Sequence, residues 1–255
     1  MSDDPLPKRV NLFPQLSVVV PVFNERDSVI PLVHEITSAL RDRTRSEGGD
    51  FEIVYVDDHS RDDTLSVLLA LKVHVPELRV IHHDAQSGQS TAIRAGVKAA
   101  RGAWIVTLDG DGQNDPADIP RLMQKRIGAD GSTKLFAGWR INRQDSGSKR
   151  LASRWANVIR SRVLRDDTPD TGCGIKLFER EAFLDLPYFD HMHRYLPALM
   201  QRAGWQTISV PVNHRRRNAG ESKYNNLNRA LKGMRDLCGV AWLIKRSKRA
   251  AVQEV

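Results

Sequence analysis

A chain of 255 residues, 40% hydrophobic and 27% charged, can bury a full core as one large α/β domain or two small ones, and no run approaches the roughly 18 consecutive apolar residues of a membrane helix. Two cysteines, Cys173 and Cys238, are too few for a disulfide framework and lack zinc-ligand spacing, so a reducing cytoplasm is the expected home. The 39 Lys and Arg against 31 Asp and Glu leave a net charge of +8, and the excess sits in the second half, where Arg140 to Arg165 holds eight basic residues and one acid, Asp145.

Residues 1–15, with Asp3, Asp4, Pro5 and Pro7, read as a loose tail without a secretory pattern. Leu16 to Phe23, with three successive valines, reads as a buried parallel strand, and Val29, Leu32, Val33, Ile36 and Leu40 then recur at helical spacing. The alternation continues as strand Phe51 to Val56, helix Thr64 to Val73, strand Leu78 to Ile81, helix Thr91 to Ala100 and strand Trp104 to Leu108. Alternation of this kind predicts an α/β fold with a mainly parallel central sheet and helices on both faces, ligands binding beyond the carboxyl ends of the strands. After Asp115-Pro116 the pattern predicts a helix to Arg126, a strand at Leu135 to Ala137, a basic helix over Ser148 to Leu164, strands at Ile175 to Phe178 and Thr207 to Val212, and a helix over Arg194 to Ala203. Residues 16–225 form the expected domain, followed over 226–255 by an amphipathic basic helix and tail, in which Leu227, Leu231, Met234, Leu237, Ala241 and Ile244 step by three or four.

Three strand tips carry unusual residues. Asp109-Gly110-Asp111-Gly112-Gln113 places two carboxylates and an amide on a tight turn, which fits a partial oxygen ligand set for Mg²⁺ or Mn²⁺ and equally fits a solvated turn. Asp57-Asp58-His59-Ser60-Arg61-Asp62-Asp63-Thr64 offers a pair of acids to a base or ribose, with Asp62 or Asp63 capping the next helix. Pro21-Val22-Phe23-Asn24-Glu25 offers a fixed turn, an aromatic face and a carboxylate. His191-x-His193 has no evident third ligand, and Cys173 reads as a small buried thiol.

Taken in this order, the three motifs resemble family 2 glycosyltransferases of the nucleotide-diphospho-sugar (GT-A) fold, and within it the dolichyl- or polyprenyl-phosphate sugar transferases. The resemblance runs from about Leu16 to Lys223 and includes Gln86-Ser87-Gly88-Gln89-Ser90, Gly138-Trp139-Arg140, Asp170-Thr171-Gly172-Cys173-Gly174 and Gly220-Glu221-Ser222-Lys223. It implies that Pro21, Phe23, Glu25, Val56 and Asp58 hold the nucleoside of a UDP- or GDP-type sugar donor. Asp109, Gly110, Asp111 and Gln113 would then hold Mg²⁺ or Mn²⁺ and the diphosphate, and Arg140, Arg217 and Lys223 the anionic groups of donor and acceptor. Asp111 and Arg140 carry the expected catalytic work. The chain departs from the family in Phe23 for the usual tyrosine, in Gly110 where alanine is frequent, and in Gln86 to Gln89, where Asn-x-Gly-Lys is common. The Gln-x-x-Arg-Trp motif of hydroxyl-directed polysaccharide synthases is absent from the sequence.

The acceptor sets the chemistry. A polyprenyl phosphate, with a second pKa of about 6, is largely dianionic at neutral pH and can attack the anomeric carbon in one inverting displacement without a general base. A sugar hydroxyl would need one, for which Asp170 is the candidate. A lipid acceptor and the basic tail together imply peripheral attachment to the cytoplasmic face of a membrane. A nucleic-acid-binding protein would explain the basic cluster but not the acids, which repel phosphates, so no nucleic-acid partner is expected. A dinucleotide oxidoreductase lacks its Gly-x-Gly-x-x-Gly after the first strand.

Overall fold

β-branched runs buried on both faces have only the interior of a sheet to occupy, and the first two apolar segments do so as β1 (Leu16–Val22) and β2 (Phe51–Asp57). The computed structural model describes residues 16–47, 50–141, 160–215 and 226–248. The tail expected over 1–15 and most of the helix expected over Ser148 to Leu164 lie outside the described residues, although 160–164 are helical. Helices α1 (Arg26–Glu47), α2 (Thr64–Lys72), α3 (Gln89–Ala99) and α4 (Ile119–Ile127) alternate with β3 (Leu78–His82), β4 (Trp104–Thr107) and β5 (Thr133–Arg140). Then follow β6 (Lys176–Glu179), α5 (Arg180–Leu184), α6 (Leu196–Ala203), β7 (Gln206–Val212) and α7 (Asn226–Arg246).

The strands form one sheet in the order β3-β2-β1-β4-β6-β5-β7. β6 runs antiparallel to both its neighbours, and every other pairing is parallel. The reversal puts the start of β6 at the same edge as the ends of β1, β2, β4 and β5. Residues 170–176 therefore enter the crevice that alternation alone assigns to the other strand tips.

Two cores cover the sheet. One packs α1, α2 and α4 on one face, with Val29, Leu32, Val33, Ile36 and Leu40 all buried as their spacing predicts. The other packs α3, α5, α6 and α7 on the opposite face. α7 contributes Val240, with Leu237, Ala241 and Ile244 partly buried beside it, whereas Met234 (56% exposed) and Trp242 (59% exposed) face outward. Of the expected stripe, Leu237, Ala241 and Ile244 face the core and Met234 does not, while the side chains of Leu227 and Leu231 lie outside the described residues; the helix also keeps an outward apolar strip.

At the edge opposite the crevice, buried Glu52 accepts from Ser17 Oγ at 2.7 Å, Arg79 Nη1 at 2.6 Å and Arg101 N at 2.6 Å, and Gly102 N donates to Ser17 Oγ at 2.9 Å. Removing the shared acceptor strands the buried Ser17 hydroxyl and two part-buried donors together. Glu52→Ala should lower the unfolding free energy by about 3 kcal/mol while leaving nucleotide affinity near that of the parent, as urea denaturation and calorimetry would measure.

Candidate active site

The crevice is built from loops that hold one another. Asn24 takes a φ of 56° as the chain leaves β1, and the β2 tip fixes that turn. Asn24 N donates to Ser60 Oγ at 2.9 Å, Arg61 N to Asn24 Oδ1 at 2.7 Å, and Glu25 N to Thr64 Oγ1 at 2.9 Å. Phe23 and Glu25 stand half-buried beside this clasp. Of the two expected caps, Asp62 binds the start of α2, accepting from Thr64 N at 3.0 Å and Thr64 Oγ1 at 2.5 Å, while Asp63 makes no side-chain cap bond. Burial pushes the Asp62 carboxyl up, but these bonds from Thr64 outweigh it and hold it below its usual range.

Two of the expected nucleoside residues have structural duties. Val56 is fully buried with its side chain under α3, where a Cβ at Gly96 would lie 3.0 Å from Val56 Cγ2, so any contact with a nucleoside is confined to its backbone. The buried Asp58 accepts from His83 Nδ1, Ser87 N and Gly88 N, each at 2.8 Å. Its carboxylate is therefore a clasp on the loop 86–88, and two amides ahead of α3 that could face a phosphate are taken up by an internal anion. Asp57, at the end of β2, accepts from His82 Nδ1 at 2.8 Å. Pro21 and Phe23 remain at the first tip, where Pro21 O approaches the next turn closely.

That turn is the Asp109 to Gln113 motif. A Cβ at Gly110 would lie 2.9 Å from Pro21 O and would also strike Val22, so the turn needs glycine here. Asp109 N donates to Asn114 Oδ1 at 2.9 Å, Gln113 N to Asp111 Oδ1 at 3.1 Å, and Gln89 Nε2 to Asp109 Oδ1 at 2.9 Å. The other carboxylate oxygen, Asp109 Oδ2, rests against Gly174, leaving no room for a Cβ there. Burial and then the charge of Asp111 push the Asp109 carboxyl above its usual range, and Lys176, Arg140 and Gln89 pull against them. From the far side the chain after β7 crosses the turn: Arg215 N donates to Gln113 O at 3.1 Å, and its guanidinium bridges Glu35 at 2.6 Å and Asp115 at 2.7 Å. Arg217 and Lys223 lie beyond it, outside the described residues.

The β5 and β6 ends supply the cations. Arg140 Nε and Nη2 grip Asp170 Oδ2 and Oδ1 at 2.6 and 2.9 Å. Burial works against the charge on Arg140, but the bonds to Asp170 outweigh it, and the guanidinium is held above its ordinary range. Lys176, buried at the start of β6, donates from Nζ to Cys173 O. Burial lowers its pKa, opposed by Cys173, Asp109 and Asp170. Sequence reasoning missed Lys176; the signal was a single lysine among Ile175, Leu177 and Phe178. Cys173 is buried as expected, its thiol pushed up to about 11 by burial. His191 and His193 do not converge: His191 Nδ1 meets Asp236 at 3.0 Å and His193 Nδ1 meets Ser90 Oγ at 2.7 Å.

A mostly parallel sheet with acids gathered at its carboxyl edge, an Asp-x-Asp turn on the β4 tip and one reversed strand beside it defines a glycosyltransferase of the GT-A fold. The chain belongs to glycosyl transferase family 2, whose model matches residues 17–186. It is 34% identical over 243 residues to the dodecaprenyl-phosphate galacturonate synthase of Rhizobium johnstonii, covering 91% of this chain and 68% of that protein. Among solved structures it resembles Mycobacterium tuberculosis glucosyl-3-phosphoglycerate synthase in complex with Mn²⁺, UDP and glucosyl-3-phosphoglycerate, with a TM-score of 0.64 and 17% identity, over 92% of this chain and 80% of that one. A mannosyltransferase from Pyrobaculum calidifontis in complex with GDP-Man and Mn²⁺ matches with a TM-score of 0.62 and 18% identity, over 91% and 70%.

The contact of Asp109 with Gly174 gives a direct test of the site. Gly174→Ala should displace the Asp109 carboxylate, lower stability by about 1–3 kcal/mol and abolish any cation-dependent part of nucleotide binding; thermal unfolding and calorimetry with and without Mn²⁺ would measure both effects.

Proposed function

We propose that this chain transfers a sugar, with inversion, from a UDP- or GDP-linked donor to a polyprenyl phosphate at a membrane surface. The observation that carries the acceptor assignment is the bidentate Arg140–Asp170 pair. A general base must be able to reach the acceptor proton, and here both oxygens of a buried carboxylate are committed to a guanidinium. A hydroxyl acceptor loses its candidate base, while a phosphate acceptor gains a fixed cation, since a guanidinium presents five N–H donors and Asp170 takes up only its Nε–Nη2 edge. The name of the Rhizobium relative, similar over most of this chain, supports the same acceptor class.

The donor set of the β4 turn suits a hard divalent cation. Asp109 and Asp111 supply carboxylate oxygens whose mutual repulsion a cation relieves, and Gln113 stands beside them. Among the described residues no group of three or more His, Cys, Asp or Glu forms a ligand cluster, so the protein would supply a partial set completed by water and diphosphate. When bound, Mg²⁺ or Mn²⁺ would neutralise charge on the departing nucleotide diphosphate. Phe23 and Glu25 would line the nucleoside with the backbone of Pro21 and Val56, and Arg140, Arg217 and Lys223 would hold anionic oxygens.

The test uses labelled sugar nucleotides with polyprenyl phosphate and the matching polyprenol as alternative acceptors. Label should enter an organic-extractable product only with the phosphate, Arg140→Ala should cost about 10²-fold or more in turnover, and Asp111→Asn should keep the fold while losing cation-dependent donor binding. Because Asp170 grips Arg140, Asp170→Asn is not a selective probe of base catalysis, and the choice of acceptor decides between the two mechanisms. Transfer to the polyprenol alone overturns the phosphate assignment.

The outward strip of α7, with Met234, Cys238 and Trp242 flanked by Lys232, Arg235, Lys245 and Arg246, supports peripheral attachment to an anionic bilayer on the cytoplasmic side. Among the described residues no helix is long and apolar enough to cross a membrane. Since Val240 and its neighbours are part of the core, deleting the helix would damage the fold, and charge reversal is the cleaner probe. At about 1 kcal/mol per basic residue near such a surface, Lys245→Glu with Arg246→Glu should cut flotation with anionic liposomes by about 10-fold or more at low salt. Flotation unchanged by the double substitution would remove α7 as the attachment.

A further inference from the structure

Asp109 is restrained on three sides: its backbone by Asn114, Oδ2 by Gly174, and Oδ1 by the amide of Gln89, an exposed residue from another part of the chain. The third restraint is itself held in place. Gly88, just before Gln89, takes a φ of 88°, a conformation that disfavours any residue with a Cβ, and its N–H and that of Ser87 are gripped by Asp58. Just after Gln89, buried Ser90 Oγ lies 2.7 Å from His193 Nδ1, on a ring that burial drives well below the usual histidine range. Thr91 meets Tyr188 Oη at 2.6 Å. Gln89 is thus the first residue of a helix whose flanks are fixed on both sides, and its side chain crosses from the β2–α3 side of the crevice to the β4 turn.

We infer that Gln89 is a positioning residue for Asp109, orienting the carboxylate toward a divalent cation. The chemistry distinguishes this from simple loop packing. A neutral amide donates one hydrogen bond, which fixes the carboxylate's orientation and leaves its negative charge available to a cation. The inference rests on the cation reading of the Asp109–Asp111 turn given above.

Mn²⁺ titrated into protein saturated with UDP, or with GDP where that is the nucleotide bound, and followed by electron paramagnetic resonance of the free ion, separates the possibilities without an acceptor or turnover. Gln89→Ala should weaken Mn²⁺ affinity by about 10-fold, as found when partners of metal ligands are removed, while the exposed position leaves the thermal midpoint unchanged. Gln89→Glu should not restore affinity to the parent level, because its carboxylate repels Asp109 instead of donating to it. If the parent protein binds Mn²⁺ and Gln89→Ala binds it equally well, the positioning role is overturned. If the parent binds no Mn²⁺ in the presence of either nucleotide, the cation reading itself fails, a result that the parent protein alone reveals.

Discussion

Crowding of carboxylates at one edge of the sheet is the constraint around which the rest of the crevice is arranged. Asp57, Asp58, Asp109 and Asp111 stand at the tips of β2 and β4, where Asp57 and Asp58 are buried and Asp109 feels both burial and the charge of Asp111. The fold meets this with a different partner for each acid. Asp57 has His82, Asp58 has His83 and two backbone amides, Asp111 has the backbone amide of Gln113, and Asp109 has Gln89 with the more distant charges of Lys176 and Arg140. The antiparallel β6 is what brings Lys176 in, because a strand entering at the crevice edge can deliver Lys176 and Gly174 where a departing strand would deliver its far end, while Arg140 arrives on the end of β5.

Much of this is legible in the sequence, for physical reasons. Strands buried on both faces must be nearly all apolar, which is why β1 and β2 can be bounded to within a residue or so, and α1 announces itself through five buried positions at helical spacing. The direction of β6 is not legible, since four residues carry no sign of which neighbour they pair with. The duty of Asp58 is hidden for a related reason: its partners Ser87 and Gly88 lie 29 and 30 residues away, and only the closed sheet brings them together. Asp170 reads as a free carboxylate in the sequence because its partner Arg140 lies 30 residues earlier and is itself assigned to an anion. Each acid stands out as unusual from its setting at a strand tip, yet whether its charge faces a ligand or an internal donor is decided by contacts between distant segments.

The position of α7 bears on how a lipid acceptor and a nucleotide donor could meet. Residues 188–195 form a bracket with contacts in two directions. On one side Tyr188 and His193 hold the first turn of α3, the turn that carries Gln89. On the other, His191 pairs with Asp236 at 3.0 Å and Tyr195 donates to Gly233 O at 3.1 Å, both within α7. Arg202 adds a bond to Leu243 O from α6. Helix and donor loop are therefore parts of one packed layer, joined by short side-chain bonds with no intervening linker. If the outer strip of α7 rests on a bilayer, the crevice is held at a set height above that surface. A fixed height suits an acceptor whose reacting phosphate sits at the headgroup level, because the entropy of bringing donor and nucleophile together is reduced when both are confined relative to the same plane.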